Sequence, residues 1–207
     1  MFGDDRTKGI GIFSRHALSA GFVAATLMEL AIRNRIDSDL ESVWVTDNTP
    51  TGEAGIDVVL MQLSIDRLNF EAAELMERLT SFGQTIRKAA LARLQDRGIL
   101  KIKEGLFSRI LGNRYSIIDQ SPVEELNAQL TKILVSDDIP TPREVCLLSL
   151  AATLELTDHI IQSANRAQIQ SRLATLAKMD LIGRRLSGCL DLMFQKLALA
   201  YQSFPRC

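Results

Sequence analysis

Cysteine, histidine and aromatic residues are scarce in this chain, and each shortage removes a class of function. Three cysteines in 207 residues, Cys146, Cys189 and Cys207, form no CxxC pair, and an odd, scattered set argues against a disulfide framework. Cys146 and Cys189 sit in apolar helical runs and read as small buried hydrophobes. His16 and His159 are the only histidines, so the nitrogen ligands and general bases used by many zinc and catalytic sites are nearly absent. No nucleophile, base and orienting group can be assembled from what remains, so the reading is not an enzyme, without metal or cofactor. No apolar run approaches the roughly 20 residues that span a bilayer. The opening MFGDDRTKG has no apolar signal core, and its glycine is third rather than second, which fails a myristoylation reading. Gly9-Ile10-Gly11 lacks a preceding strand and a third glycine, so it is a turn and not a dinucleotide fingerprint. The expectation is a soluble, cytosolic protein.

What is present points to helices. Apolar residues make up 46% of the chain and aromatics 5%, Leu and Ala are abundant, and alternating β-branched runs are few. This predicts one domain over residues 1–207, mainly α, with a short β-hairpin on one face. A first helix runs from a Ser14 cap to about Arg35, with a narrow polar stripe at Ser19, Thr26, Glu29 and Arg33. Residues 42–46 read as a strand carrying the only Trp, followed by the turn Asp47-Asn48-Thr49-Pro50-Thr51-Gly52. The run from Ile56 to Ile65 and the segment Asn69–Ser81 read as core helices. A helix from Gln84 to Arg97 turns Ile86, Ala90, Leu91 and Leu94 inward, leaves the opposite face basic and stops at Gly98. Residues 99–103 alternate as a strand, 106–111 are expected to return, and 115–118 can add another strand. Ser121-Pro122-Val123-Glu124 and Thr141-Pro142-Arg143-Glu144 are helix starts with a capping hydroxyl. Helices near 142–154, 164–178 and 186–202 complete the chain.

Charge is unevenly distributed. Between Arg87 and Arg114 there are eight Lys or Arg against two acids, a local charge of +6 in a chain whose total is −1. Leu106, Phe107, Ile110 and Leu111 form an apolar tip within it, flanked by the basic residues Lys88, Arg109 and Arg114. Such a field predicts an anionic partner, either lipid headgroups or nucleic acid.

Four ordered stretches then carry a resemblance. They are Leu27–Ile36 (LMELAIRNRI), Asp47–Gly52 with Ile56-Asp57 and Leu60, Leu94–Leu100 (LQDRGIL), and Thr141-Pro142-Arg143 leading into Leu147–Ala152. Together they resemble the Golgi phosphoprotein 3 family, peripheral membrane proteins that bind phosphatidylinositol 4-phosphate. The resemblance implies a single helix-rich domain whose flat basic face meets the membrane and whose hairpin, here Leu106, Phe107, Ile110 and Leu111, enters the lipid interface. It places a headgroup-binding arginine on Arg87 and the arginine one turn earlier on Gln84. The family's phosphate-site tryptophan falls on Ser14 and its arginine in the first long helix on Val23, so one of four recognition residues is retained. Two lost guanidinium groups weaken a phosphate site, because charge-assisted bidentate bonds hold such a group best. Arg15, Lys88 and Arg109 are nearby substitutes. Relative to the family, the chain begins after the usual first apolar helix and lacks the basic insertion between Ile36 and Val43, which resembles the shorter bacterial members.

The resemblance thus implies a peripheral protein binding anionic phospholipid and acting as a membrane-trafficking or sorting adaptor for cytosolic tails of membrane proteins. Its location would be the cytosolic face of the Golgi in a eukaryote, or the cytoplasm and inner membrane face in a bacterium. A homo-oligomer is open. The alternative is a winged-helix-like nucleic-acid binder, since a basic helix followed by a strand pair has that outline; the pI of about 6.2 and the apolar tip disfavour it, and no nucleic acid is expected.

Overall fold

A computed structural model describes residues 15–38, 42–66, 70–103, 114–136 and 138–154, and positions 156, 169, 171 and 172. Six helices and two small antiparallel sheets are found among the described residues: α1 (Arg15–Ile32), β1 (Ile36–Ser38), β2 (Ser42–Val45), α2 (Ala54–Asp66), β3 (Phe70–Glu71), α3 (Ala72–Thr80), α4 (Gly83–Asp96), β4 (Leu100–Lys103), β5 (Arg114–Ile117), α5 (Ser121–Val135) and α6 (Pro142–Thr153). The fold is mainly α, as the composition implied. The helices expected near 164–178 and 186–202 lie outside the described residues, apart from helical positions 169, 171 and 172.

Helix α1 is the hub, packed against α2, α3, α4 and α6. Its Leu27 and Leu30 meet Leu60 of α2 and Leu75 and Leu79 of α3 in one buried cluster. The polar stripe expected along it is half wrong. Ser19 and Thr26 are buried, at 6% and 4% exposure, because α1 is surrounded by helices and each hydroxyl has a partner, Ser19 on α4 and Thr26 within α1. Thr26 donates to the Phe22 carbonyl at 2.9 Å, which lets a threonine lie in an apolar layer.

Helices α1 and α4 end by the same device. At Asn34, with φ +54°, the Arg35 N–H donates to the Leu30 carbonyl at 2.8 Å and the Asn34 N–H to Ala31 at 2.9 Å. At Gly98, with φ +71°, Ile99 donates to Leu94 at 2.9 Å and Gly98 to Gln95 at 2.8 Å. Both are left-handed caps that consume the last helical carbonyls and release the chain as a strand. After α1, β1 pairs with β2 and β2 with β3. The Asp47–Gly52 turn is held from two sides. Asp47 pairs with Arg35 and accepts the Thr49 N–H at 2.8 Å, while Asp57 accepts the Thr51 N–H and hydroxyl, both at 2.7 Å, and the Gly52 N–H at 3.1 Å. Burial pushes the Asp57 carboxyl up, but these donors and the Arg33 charge outweigh it and hold it below its ordinary value.

After α4, strand β4 pairs with β5 in the register Leu100↔Ile117 to Lys103↔Arg114, and the return expected over 106–111 lies outside the described residues. The strand foreseen at 115–118 is found as β5, antiparallel to β4. Helix α5 starts without a hydroxyl cap at Ser121; Asp119 instead accepts the Ser121 N–H at 3.0 Å. The Glu124 N–H that a serine cap would take goes to the Gln120 carbonyl at 3.0 Å, and Asp119 forms an Asx turn just ahead of the helix. Helix α6 has the complete capping box, with Glu144 Oε2 accepting the Thr141 N–H at 2.6 Å and the Thr141 side chain accepting from Glu144. A second cluster, Leu130, Ile133, Leu134, Leu148 and Ile169, joins α5 to α6. Cys146 is buried, as its apolar setting implied, and burial first, with Glu29 nearby, pushes its thiol up to about 11 against the opposing charge of Arg143; a thiol so protonated is a poor nucleophile.

Candidate functional site

The geometry at the start of α4 is set by one close approach. Gly83 is buried and faces Ser19 so tightly that a Cβ there would lie 2.4 Å from the Ser19 Cβ and 2.5 Å from its Cα. Only glycine lets the two helices cross at this point. The next residue, Gln84, is exposed and donates from Nε2 to the Ser19 hydroxyl oxygen at 3.1 Å. One turn on, Arg87 is half-buried and Lys88 is exposed. Among the described residues no acid pairs with either, nor with Lys101 on β4, so these cations face outward uncompensated. At the far end of the hairpin the register sets Lys103 opposite Arg114, which brackets residues 104–113 with a basic pair.

Of the expected headgroup residues, the structure brings Gln84 and Arg87 onto adjacent turns of one helix. Ser14 lies outside the described residues, as do Leu106, Phe107, Arg109, Ile110 and Leu111. The position where the resemblance places another arginine, Val23, is 0% exposed in the central cluster. It is a core position in this chain, so the missing charge there is replaced by packing. Ser19 was missed, having been read as part of an outward stripe. The signal for it was a small polar residue matched by a glycine 64 positions later, which a single sequence does not connect.

The basic face of α4 is also smaller than the charge count implied. Arg93 does not join Arg87; it lies about a third of a turn away, on the side of buried Ile86, and pairs with Glu53 at the start of α2. Glu53 also accepts from Arg33 at 2.5 Å, Arg33 donates to Glu29 at 2.6 Å, and Arg143 donates to Glu29 at 2.8 Å. This chain of ion pairs ties α4, the α2 start, α1 and α6 together. Glu29 is thus held in two ion pairs, and Asp57 caps the turn that leads into α2.

No helix among the described residues is long and apolar enough to cross a membrane, and no group of three His, Cys, Asp or Glu among them could hold a metal ion. The class defined here is a helix-rich domain with an outward cationic edge on one helix and on the hairpin that follows it. A family model described as Golgi phosphoprotein 3 (GPP34) matches residues 2–191, and the chain belongs to that family, which is not known as an enzymatic one. A search of curated proteins finds no match.

Proposed function

We propose that this chain is a peripheral membrane protein that binds anionic phospholipid through the α4 edge and the hairpin. The observation that carries the reading is the set of uncompensated cations Arg87 and Lys88, with the Lys103–Arg114 register pair bracketing a segment that holds Leu106, Phe107, Ile110 and Leu111. Near an anionic leaflet each such cation contributes about 1 kcal/mol, so four give about 4 kcal/mol, millimolar binding on their own. Burying apolar side chains adds about 0.8 kcal/mol per CH₂. The two together give reversible micromolar attachment.

Family membership supports phosphatidylinositol 4-phosphate as the lipid, and a role as a trafficking or sorting adaptor that holds cytosolic tails of membrane proteins. Arg87 supplies the bidentate guanidinium, and Gln84 a neutral donor in place of a second charge. A phosphate held by one arginine and one amide is bound less tightly than by two guanidinium groups. The protein therefore reads surface charge first and headgroup identity second. Co-sedimentation tests this directly: binding to vesicles containing phosphatidylinositol 4-phosphate or other acidic phospholipids, declining with salt and absent on neutral vesicles, is expected. A protein left in the supernatant with all three compositions at moderate salt refutes the proposal, and a steeply salt-dependent gel shift with duplex DNA would favour nucleic acid instead.

A further inference from the structure

Beside α4, on the flank that carries Ile86 and Arg93, lies a cleft of about 910 Å³, within the range of roughly 300–1,000 Å³ typical of small-molecule sites. It opens between α4, the start of α2, the end of α1 and the start of α6. Ile56, Ile86, Ala89 and Ala90 give it an apolar floor, and Arg33, Arg93, Arg97 and Arg143 line it with Glu29, Glu53 and Asp96.

The stretches that carry the family resemblance meet here. Glu29 and Arg33 come from the first, Gly52 from the second, Leu94, Asp96 and Arg97 from the third and Arg143 from the fourth. Arg87 lies in none of them and does not line the cleft.

We propose that the cleft binds a small soluble molecule through a phosphate group, at a site separate from the lipid edge. The ion pairs within it join three arginines to two carboxylates: Arg143 to Glu29, Arg33 to both Glu29 and Glu53, and Arg93 to Glu53. Arg33 is satisfied on both sides. Arg93 and Arg143, at the two ends, each meet one carboxylate and keep side chains 58% and 55% exposed. A guanidinium carries five N–H donors, so most donors of both forks are unfilled. Arg97 stands one turn beyond Arg93 on the same face of α4 and has no ion pair among the described residues. Three guanidinium groups with open donors thus line one cavity. A phosphate offers three acceptor oxygens and up to two charges, which matches several forks better than a carboxylate does. The apolar floor and the volume, far beyond the needs of a bare ion, provide for the organic body that carries the phosphate.

The test is a titration of the full chain with inorganic phosphate at constant ionic strength, read on the arginine Nε–H signals by nuclear magnetic resonance. Saturable shifts of Arg93, Arg97 and Arg143 are expected, with affinity roughly tenfold weaker in Arg97→Gln, the loss of one charge-assisted contact. Arg97 holds no ion pair among the described residues, so this variant should melt with the wild type. Shifts no larger than a sodium chloride control produces, equal affinity in the variant, or saturation at Arg87 alone would each overturn the proposal. Vesicle binding should be unchanged in Arg97→Gln. A loss there would make the phosphate a lipid headgroup and overturn the assignment to a soluble ligand, whereas failure of the wild type to bind vesicles leaves the titration informative.

Discussion

Replacing Gly83 with alanine tests the helix crossing on which the lipid edge depends. The new Cβ would lie 2.4 Å from the Ser19 Cβ, 2.5 Å from its Cα and 2.7 Å from its carbonyl oxygen. Two of these are backbone atoms, so no rotamer change relieves the overlap and α4 must move away from α1. Overpacking of this kind costs about 1–3 kcal/mol, and backbone contacts place it at the upper end. Alanine's helix propensity returns at most about 1 kcal/mol, which leaves a net loss of about 2 kcal/mol. For a chain of this size that lowers Tm by about 4–8 °C. Calorimetry and denaturant titration measure it, the midpoint falling with an unchanged slope. Because Gln84 is the next residue and bonds Ser19, vesicle binding should weaken alongside. A Tm equal to or above the wild type would refute the crossing, and with it the placement of Gln84 and Arg87.

Three further outcomes follow from the described contacts. Gly98→Ala meets no atom within 4 Å but must adopt φ +71°, so only backbone strain acts and the loss is about 1 kcal/mol, or 2–4 °C in Tm; a larger drop would mean the site is crowded. Thr141→Ala removes one half of the α6 capping box and should cost about 1 kcal/mol, read as a lower denaturant midpoint, with Thr141→Ser restoring it. Stability should also fall in acid. Asp57 and Glu144 are both held below their ordinary values of 3.8 and 4.5, so their contribution is complete above those values and is lost as pH drops through the lower folded-state ones. In Asp57→Asn the pH dependence of Tm below about pH 4 should be shallower; an unchanged profile would show that Asp57 carries none of it.

Features encoded locally were legible in the sequence. Gly98 announced its left-handed cap, Thr141-Pro142-Arg143-Glu144 its capping box, and the apolar spacing of Leu27, Leu30, Leu60 and Leu75 the helical core. Asp119 shows where local reading goes astray, since Ser121 is already the first helical residue and donates to Asp119, while the Glu124 N–H that a serine cap would take goes to the Gln120 carbonyl. Long-range pairings were not legible. Arg143 reaches Glu29 across 114 positions, and Arg93 reaches Glu53 across a span that holds all of α2 and α3, so a charge count over 87–114 took Arg93 as part of an outward field that it does not join. The buried hydroxyls of Ser19 and Thr26 were misplaced because polarity alone reveals neither the Gln84 amide that meets Ser19 from α4 nor the Phe22 carbonyl that lets Thr26 turn inward. Of the candidate site, Gln84 and Arg87 lie on adjacent turns of α4, while Val23 is explained only by the core that encloses it.

Arg87 is proposed to carry the headgroup contact of the α4 edge, and affinity for vesicles containing phosphatidylinositol 4-phosphate, compared between the wild type, Arg87→Ala and Arg97→Gln, is the measurement that decides it. Loss of one charge-assisted contact predicts binding about tenfold weaker for Arg87→Ala and unchanged for Arg97→Gln. Equal binding by Arg87→Ala, in a variant that melts with the wild type, would contradict the account.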